Sequence, residues 1–194
     1  MKIKEILTES EVLDEISRPE MSNAEQILVN AGYDNIGSGV FSSVYRKTDS
    51  PHCLKLFKSN DDGYKDFVRL AMQYPNPHFP KFKGKMMKIT DQYYAMRMEV
   101  LERGNLAGET QIMSNYIKFL RHQFHNCNQP VGRLPDASEI KHSMDQLEQS
   151  QPGITTACEI LGTKSEKNIW VDLHFGNAMK RGSTIVITDP FIVE

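Results

Sequence analysis

Hydrophobic and polar positions change their period several times along this chain, and each change marks an element. "SNAEQILVNAG" has the spacing of a short helix. Ser22 with Glu25 three residues later makes a capping-box pattern, and Gly32 suits a left-handed stop. The preceding "KEILTESEVLDEI" is also amphipathic and reads as an arm. From Tyr33 to Phe57 the period shortens. "YDNIGSG", "FSSVYRK" and "HCLKLFK" are β-prone runs divided by Gly, Ser and Asp-Ser-Pro, which predicts a three-stranded antiparallel meander. "DDGYKDFVRLAMQY" returns to helical spacing, with Phe67, Leu70, Ala71 and Tyr74 on one face. Pro75, Pro77 and Pro80 stop that helix. Two further strands are predicted in "KFKGKMMKI" and "QYYAMRMEV", with Thr90 and Asp91 at their turn.

Beyond Thr110 the pattern is helical. "QIMSNYIKFLRHQFH" places Ile112, Met113, Tyr116, Ile117, Leu120 and Phe124 on one stripe. Asp136 and Glu139 suggest a second capping box before "EIKHSMDQLEQ", and "ITTACEILG" reads as a third helix. The runs "NIWV" and "TIVIT" are predicted to form a β pair whose strands each end in a carboxylate. The expected fold class is α+β: a five-stranded antiparallel sheet with one inserted helix, then a mainly helical part. Residues 1–32 would form a helical arm, 33–103 a first lobe and 104–194 a second.

Composition narrows the function classes. At 194 residues, 39% hydrophobic and 25% charged, the chain reads as a soluble globular domain or two small lobes. Its net charge of −2 creates no whole-chain field toward nucleic acid or membrane, so neither is an expected partner. "PKFKGKMMK" reads as a solvated strand and loop. No apolar run approaches the ~18 residues of a membrane span, and "MKIKEILTES" has too short an apolar core for a secretory signal. Cys53, Cys127 and Cys158 lack disulfide or zinc spacing and are expected to be buried, inert thiols in a reducing, cytoplasmic setting.

Three segments could carry chemistry. In "IGSGVFSSVY", Gly37 and Gly39 stand between two β-prone runs, which excludes a dinucleotide-type turn because no helix follows. Such glycines either let backbone N–H groups approach a phosphate or simply make a turn. In "HCLKLFK", Cys53, Lys55 and Phe57 share one strand face. Lys55 either meets an anion on that face or points to solvent. In "VDLHFGNAMKRGSTIVITDPF", Asp172, Asn177 and Asp189 are hard oxygen ligands suited to Mg²⁺, or else loop-capping side chains.

Taken in order, these segments resemble the protein-kinase-like superfamily, from about Ile36 onward. "GSGVFSSV" is similar to its Gly-rich loop and "CLKLFK" to the strand carrying its phosphate-pairing lysine. "YPNPHFPKFKG" resembles the turn after the first-lobe helix, and "AMRMEVLERGNL" the last strand of that lobe and the hinge. "VDLHFGN" resembles the catalytic loop, closest to the aminoglycoside and choline kinase branch, and Asp189 takes the place of the metal-binding aspartate. The resemblance implies ATP and Mg²⁺ as cofactors. Ile36, Gly37, Ser38, Gly39 and Val44 would cover the nucleotide, and Lys55 would pair with its phosphates. Met98 would flank the adenine, Glu99 and Leu101 would offer it backbone groups, Asn177 and Asp189 would hold the metal, and Asp172 would act as base.

Several positions depart from the family pattern. Ser42 replaces the third glycine, Trp170 and Val171 replace the His-Arg before Asp172, and Pro190 follows Asp189. His174 stands where protein kinases carry lysine, either to contact phosphate or to hydrogen-bond the loop backbone. No glutamate lies between Lys55 and Glu99, leaving Asp66 as either a substitute partner for Lys55 or an exposed helix charge. Five residues follow Asp189, so the expected second lobe is shortened and lacks the family's substrate-docking part. The implied activity is γ-phosphate transfer to a hydroxyl, a protein Ser/Thr or, in the antibiotic-kinase manner, a small molecule. The other class is a nucleotide-binding pseudokinase acting as a regulator. Compact chains of this kind are associated with bacteriophages, which adds a host protein as a candidate partner and the host cytoplasm as the setting.

Overall fold

The computed structural model describes residues 24–38, 42–89, 91–125 and 135–193. Ser22, Gly39, Thr90, Cys127 and the arm before residue 24 lie outside them. The chain divides into two compact units. One holds the described residues up to Asp61 together with Lys81–Val100, and the other holds Asp62–Pro80 and the residues from Leu101 onward.

The first unit contains helix α1 (Ala24–Asn30) and strands β1 (Asp34–Ser38), β2 (Ser42–Arg46), β3 (His52–Lys58), β4 (Phe82–Lys88) and β5 (Tyr93–Glu99). The strands form one antiparallel sheet in the order β1-β2-β3-β5-β4, the five-stranded sheet that the sequence predicts. Gly32, at φ 83°, ends α1 as expected. Its N–H donates to Val29 O and that of Tyr33 to Leu28 O, so a Schellman turn satisfies the last carbonyls. Ala24 and Leu28 of α1 pack with Tyr33, Tyr45, Leu54, Leu56, Ile89 and Ala95 in a buried cluster. The sheet interior is therefore centred on β3, and Cys53 through Phe57 are all buried there. β4 lies on an edge. Lys83, Lys85 and Lys88 are exposed along it and the register slips between Lys83 and Met87, features that discourage edge-to-edge pairing.

The second unit contains α2 (Asp62–Gln73), α3 (Ala107–His125), α4 (Ala137–Ser150) and α5 (Ile154–Lys164). It also contains β6 (Ile169–Val171), a 3₁₀ turn (Phe175–Asn177), β7 (Ala178–Arg181), β8 (Thr184–Ile187) and β9 (Phe191–Val193). The predicted pairing of "NIWV" with "TIVIT" is not formed. β6 pairs with β9, while β8 pairs with β7. The reason is local: Gly182, at φ 60°, starts a two-residue hairpin turn between Arg181 and Thr184, so "TIVIT" finds its partner immediately before it.

The α3 stripe also differs from expectation. Phe124 is 63% exposed, whereas Thr110, Ser114 and Arg121 are buried beside Met113, Ile117 and Leu120. Among the described residues no helix is long and apolar enough to cross a membrane. Cys53 and Cys158 are buried, and burial pushes the Cys53 thiol up to about 11 and raises Cys158 as well. Asp136 caps α4 by accepting from Ser138 N at 2.8 Å, while Glu139 is exposed and does not close the box.

Glu148 caps the next helix from a distance, accepting from the N–H groups of Gly153 (2.6 Å) and Thr155 (2.8 Å) at the start of α5. Burial alone would raise its carboxyl, but those donors outweigh burial and hold it below the usual range. A carboxyl depressed in the folded state adds stability above its unfolded value, about 4.3, and loses it as pH falls through the folded one. Glu148→Gln is therefore expected to lower the urea midpoint at pH 7, and the gap from wild type should close in acid below about pH 4.

Candidate functional site

In the first unit, Lys55 lies on the central strand β3 and is 6% exposed, so the solvent-facing alternative does not hold. Ile36 is exposed, Gly37 and Val44 are half-buried and paired across β1 and β2, and Ser38 is exposed at the strand end. Gly37 needs no glycine for its fold: an added Cβ would meet nothing within 4 Å, which leaves open space above the backbone. Its N–H already donates to Asn35 Oδ1 at 3.0 Å. Met98 is buried on β5. Glu99 donates its N–H to Lys81 O (3.1 Å), and its carbonyl accepts from the Cys53 thiol (3.4 Å).

Leu101 begins the second unit and is half-buried, and neither of its backbone polar groups is hydrogen-bonded among the described residues. The three polar residues near the C-terminus come together in this unit through backbone links. Asp172 follows β6, and its N–H donates to Pro190 O at 2.8 Å. Asn177 closes the loop by donating Nδ2–H to the Asp172 carbonyl at 2.7 Å. The Asn177 carbonyl in turn accepts from Thr188 N (2.9 Å) and Asp189 N (3.4 Å). β6–β9 pairing thus supplies what the predicted β pair was expected to supply, two carboxylates at neighbouring strand ends.

The chemistry of each side chain follows from these contacts. A carbonyl can only accept, so Asn177 must turn its amide nitrogen to Asp172 and its Oδ1 the other way. Among the described residues no donor reaches that Oδ1. The Asp172 carboxylate is exposed and makes no ion pair or hydrogen bond among them. His174 takes the structural alternative. Its Nδ1 accepts from Gly176 N at 3.1 Å, capping the 3₁₀ turn, so the ring proton sits on Nε2. A Cβ on Gly176 would come within 2.9 Å of the imidazole, so glycine makes room for the ring. No group of three or more His, Cys, Asp or Glu forms a metal cluster among the described residues. Asn177 Oδ1 and the Asp189 carboxylate are hard oxygen donors, the kind that Mg²⁺ takes in small number while keeping its waters.

Three residues take supporting roles that the sequence did not signal. Arg121 is 0% exposed, and its Nη2 donates to the carbonyls of Glu166 (2.8 Å), Lys167 (3.3 Å) and Ile169 (2.5 Å) ahead of Asp172. Asp66 is 5% exposed, hence no exposed helix charge. One of its oxygens bonds Arg69 and the other accepts from Glu166 N at 3.1 Å, so its acceptors are used inside this unit. His78 is buried with its ring nitrogens 2.7 Å from Ile185 O and 3.0 Å from Pro152 O. Nothing in the hydrophobic pattern marks these positions, because buried and exposed polar residues look alike there.

Gly63 in the first turn of α2 lies against β9. A Cβ there would approach Phe191 C and O at 3.0 Å and Ile192 N at 3.2 Å. Backbone atoms cannot swing aside, so Gly63→Ala is expected to cost about 1–3 kcal/mol, read as a lowered urea midpoint.

No family model and no curated protein matches this sequence. Among solved structures the chain is similar to the Cydia pomonella granulovirus kinase PK-1, at 14% identity and a TM-score of 0.36, with 88% of this chain and 58% of that chain covered. It is also similar to Rad53 in complex with AMP-PNP, at 15% identity and a TM-score of 0.33, with 83% of this chain and 38% of that chain covered. The chain therefore spans less than two thirds of either structure.

Proposed function

We propose that this chain is an ATP-dependent phosphotransferase of the protein-kinase-like kind, moving the γ-phosphate to a protein Ser or Thr hydroxyl. The observation that supports this reading best is the backbone-linked cluster of Asp172, Asn177 and Asp189. The attacking hydroxyl gives its proton to the exposed Asp172 carboxylate as its oxygen bonds phosphorus and the bond to ADP breaks. Asn177 Oδ1 and Asp189 would hold Mg²⁺, which when bound would offset phosphate charge. Lys55 pairs with the α and β phosphates, and Ile36, Gly37, Ser38 and Val44 cover the nucleotide. Met98 and the backbones of Glu99 and Leu101 receive the base. Phosphoryl transfer asks chiefly for positioning and charge neutralisation, so a small set of groups suffices.

Two observations favour a second reading, a nucleotide-binding pseudokinase. The acceptors of Asp66 are used elsewhere, and the Gly37 N–H is engaged. The loop's similarity to aminoglycoside kinases keeps a small-molecule acceptor as the third. The test is incubation of the purified protein with Mg²⁺ and γ-labelled ATP, alone, with a Ser/Thr-rich protein, and with an aminoglycoside. Label on protein supports the first reading, and label on the small molecule transfers it to the third. Saturable ATP binding without transfer favours the pseudokinase, and no ATP binding removes all three.

A further inference from the structure

α2 touches both acid-bearing segments of the second unit. Its first turn presses Gly63 onto the backbone of Phe191 and Ile192, just beyond Asp189. One turn later, Asp66 takes the N–H of Glu166, in the bend before β6 and Asp172. From the other side, Arg121 of α3 takes the carbonyl of the same residue. Glu166 is thus held at both its backbone polar groups, by a buried anion and a buried cation. Charge-assisted hydrogen bonds of this kind are roughly twice as strong as neutral ones. β6 runs directly from this bend into Asp172, whose own N–H is bonded to Pro190.

We propose that Asp66 is a positioning residue. Through Glu166 it fixes the bend that feeds β6, and α2 thereby sets the placement of Asp172 relative to Asp189. The inference rests on the phosphotransferase reading for its kinetic consequence, but the placement itself is measurable without turnover.

The test compares Asp66→Ala with Asp66→Asn in the full chain. Asparagine keeps an oxygen that can accept from Glu166 N–H but loses the charge facing Arg69, whereas alanine removes both. Asp66→Ala is expected to lower kcat about 10- to 100-fold with little change in KM for ATP, as misplacement near a reacting group does. It should also speed amide exchange at residues 166–172 while α4 stays protected. Asp66→Asn should hold kcat within about threefold of wild type, because the bond to Glu166 is what matters. Unchanged exchange and kcat in Asp66→Ala overturn the proposal, as does an Asp66→Asn loss equal to that of alanine. If wild type transfers no phosphate, the phosphotransferase reading fails by itself. The exchange comparison then still decides whether Asp66 sets the bend.

Discussion

Asp172→Ala is expected to lower phosphate transfer by about 10²–10⁴-fold, the range for loss of a general base, with ATP affinity nearly unchanged. The structure makes this substitution unusually clean. Asn177 grips the backbone carbonyl of Asp172, not its carboxylate, and the Asp172 N–H bonds Pro190. Alanine retains both links, so the loop keeps its course and only the proton acceptor is lost. Asp189→Ala makes the contrast, since that carboxylate is proposed to hold Mg²⁺; there the loss should appear first in Mg-ATP binding. Single-turnover transfer and equilibrium nucleotide binding on the two variants separate the roles. An Asp172→Ala protein that transfers phosphate at the wild-type rate removes Asp172 as the base.

Much of the fold was legible because local pattern fixed it. The meander, the proline-terminated α2, the strands β4 and β5 and the three later helices each follow from period, capping or breakers that lie within a few residues. Choice of partner was less legible. "NIWV" and "TIVIT" are equally apolar, and no period says which strand each will join; a hairpin turn at Gly182 decided the matter. The grouping of Asp172, Asn177 and Asp189 survived that error, because pairing β6 with β9 rather than β8 still brings Asp172 beside Pro190. The interior polar residues were hidden for a different reason. Arg121 and Asp66 sit on helices whose other faces are charged, so each reads as one more surface charge. Only tertiary contacts reveal that one gathers carbonyls and the other an N–H from the same bend.

Arg121→Met is the substitution expected to cost the fold most, about 3–5 kcal/mol, because several buried acceptors lose their donor at about 1–3 kcal/mol each. Replacing buried ions by apolar side chains is often neutral, since the desolvation cost of the charges is recovered. That escape requires the partners to vanish too, and here they cannot. The acceptors are main-chain carbonyls of Glu166, Lys167 and Ile169, with the Ser165 hydroxyl beside them. Methionine fills the volume but donates nothing, and each buried acceptor left without a donor costs about 1–3 kcal/mol. Lysine keeps the charge yet lacks the planar fork that reaches several carbonyls at once, so Arg121→Lys should fall between methionine and wild type. Urea unfolding decides it. A lowered midpoint with an unchanged slope is the expected result for a two-state loss of stability. Methionine as stable as arginine would mean that burying the guanidinium costs as much as its hydrogen bonds return.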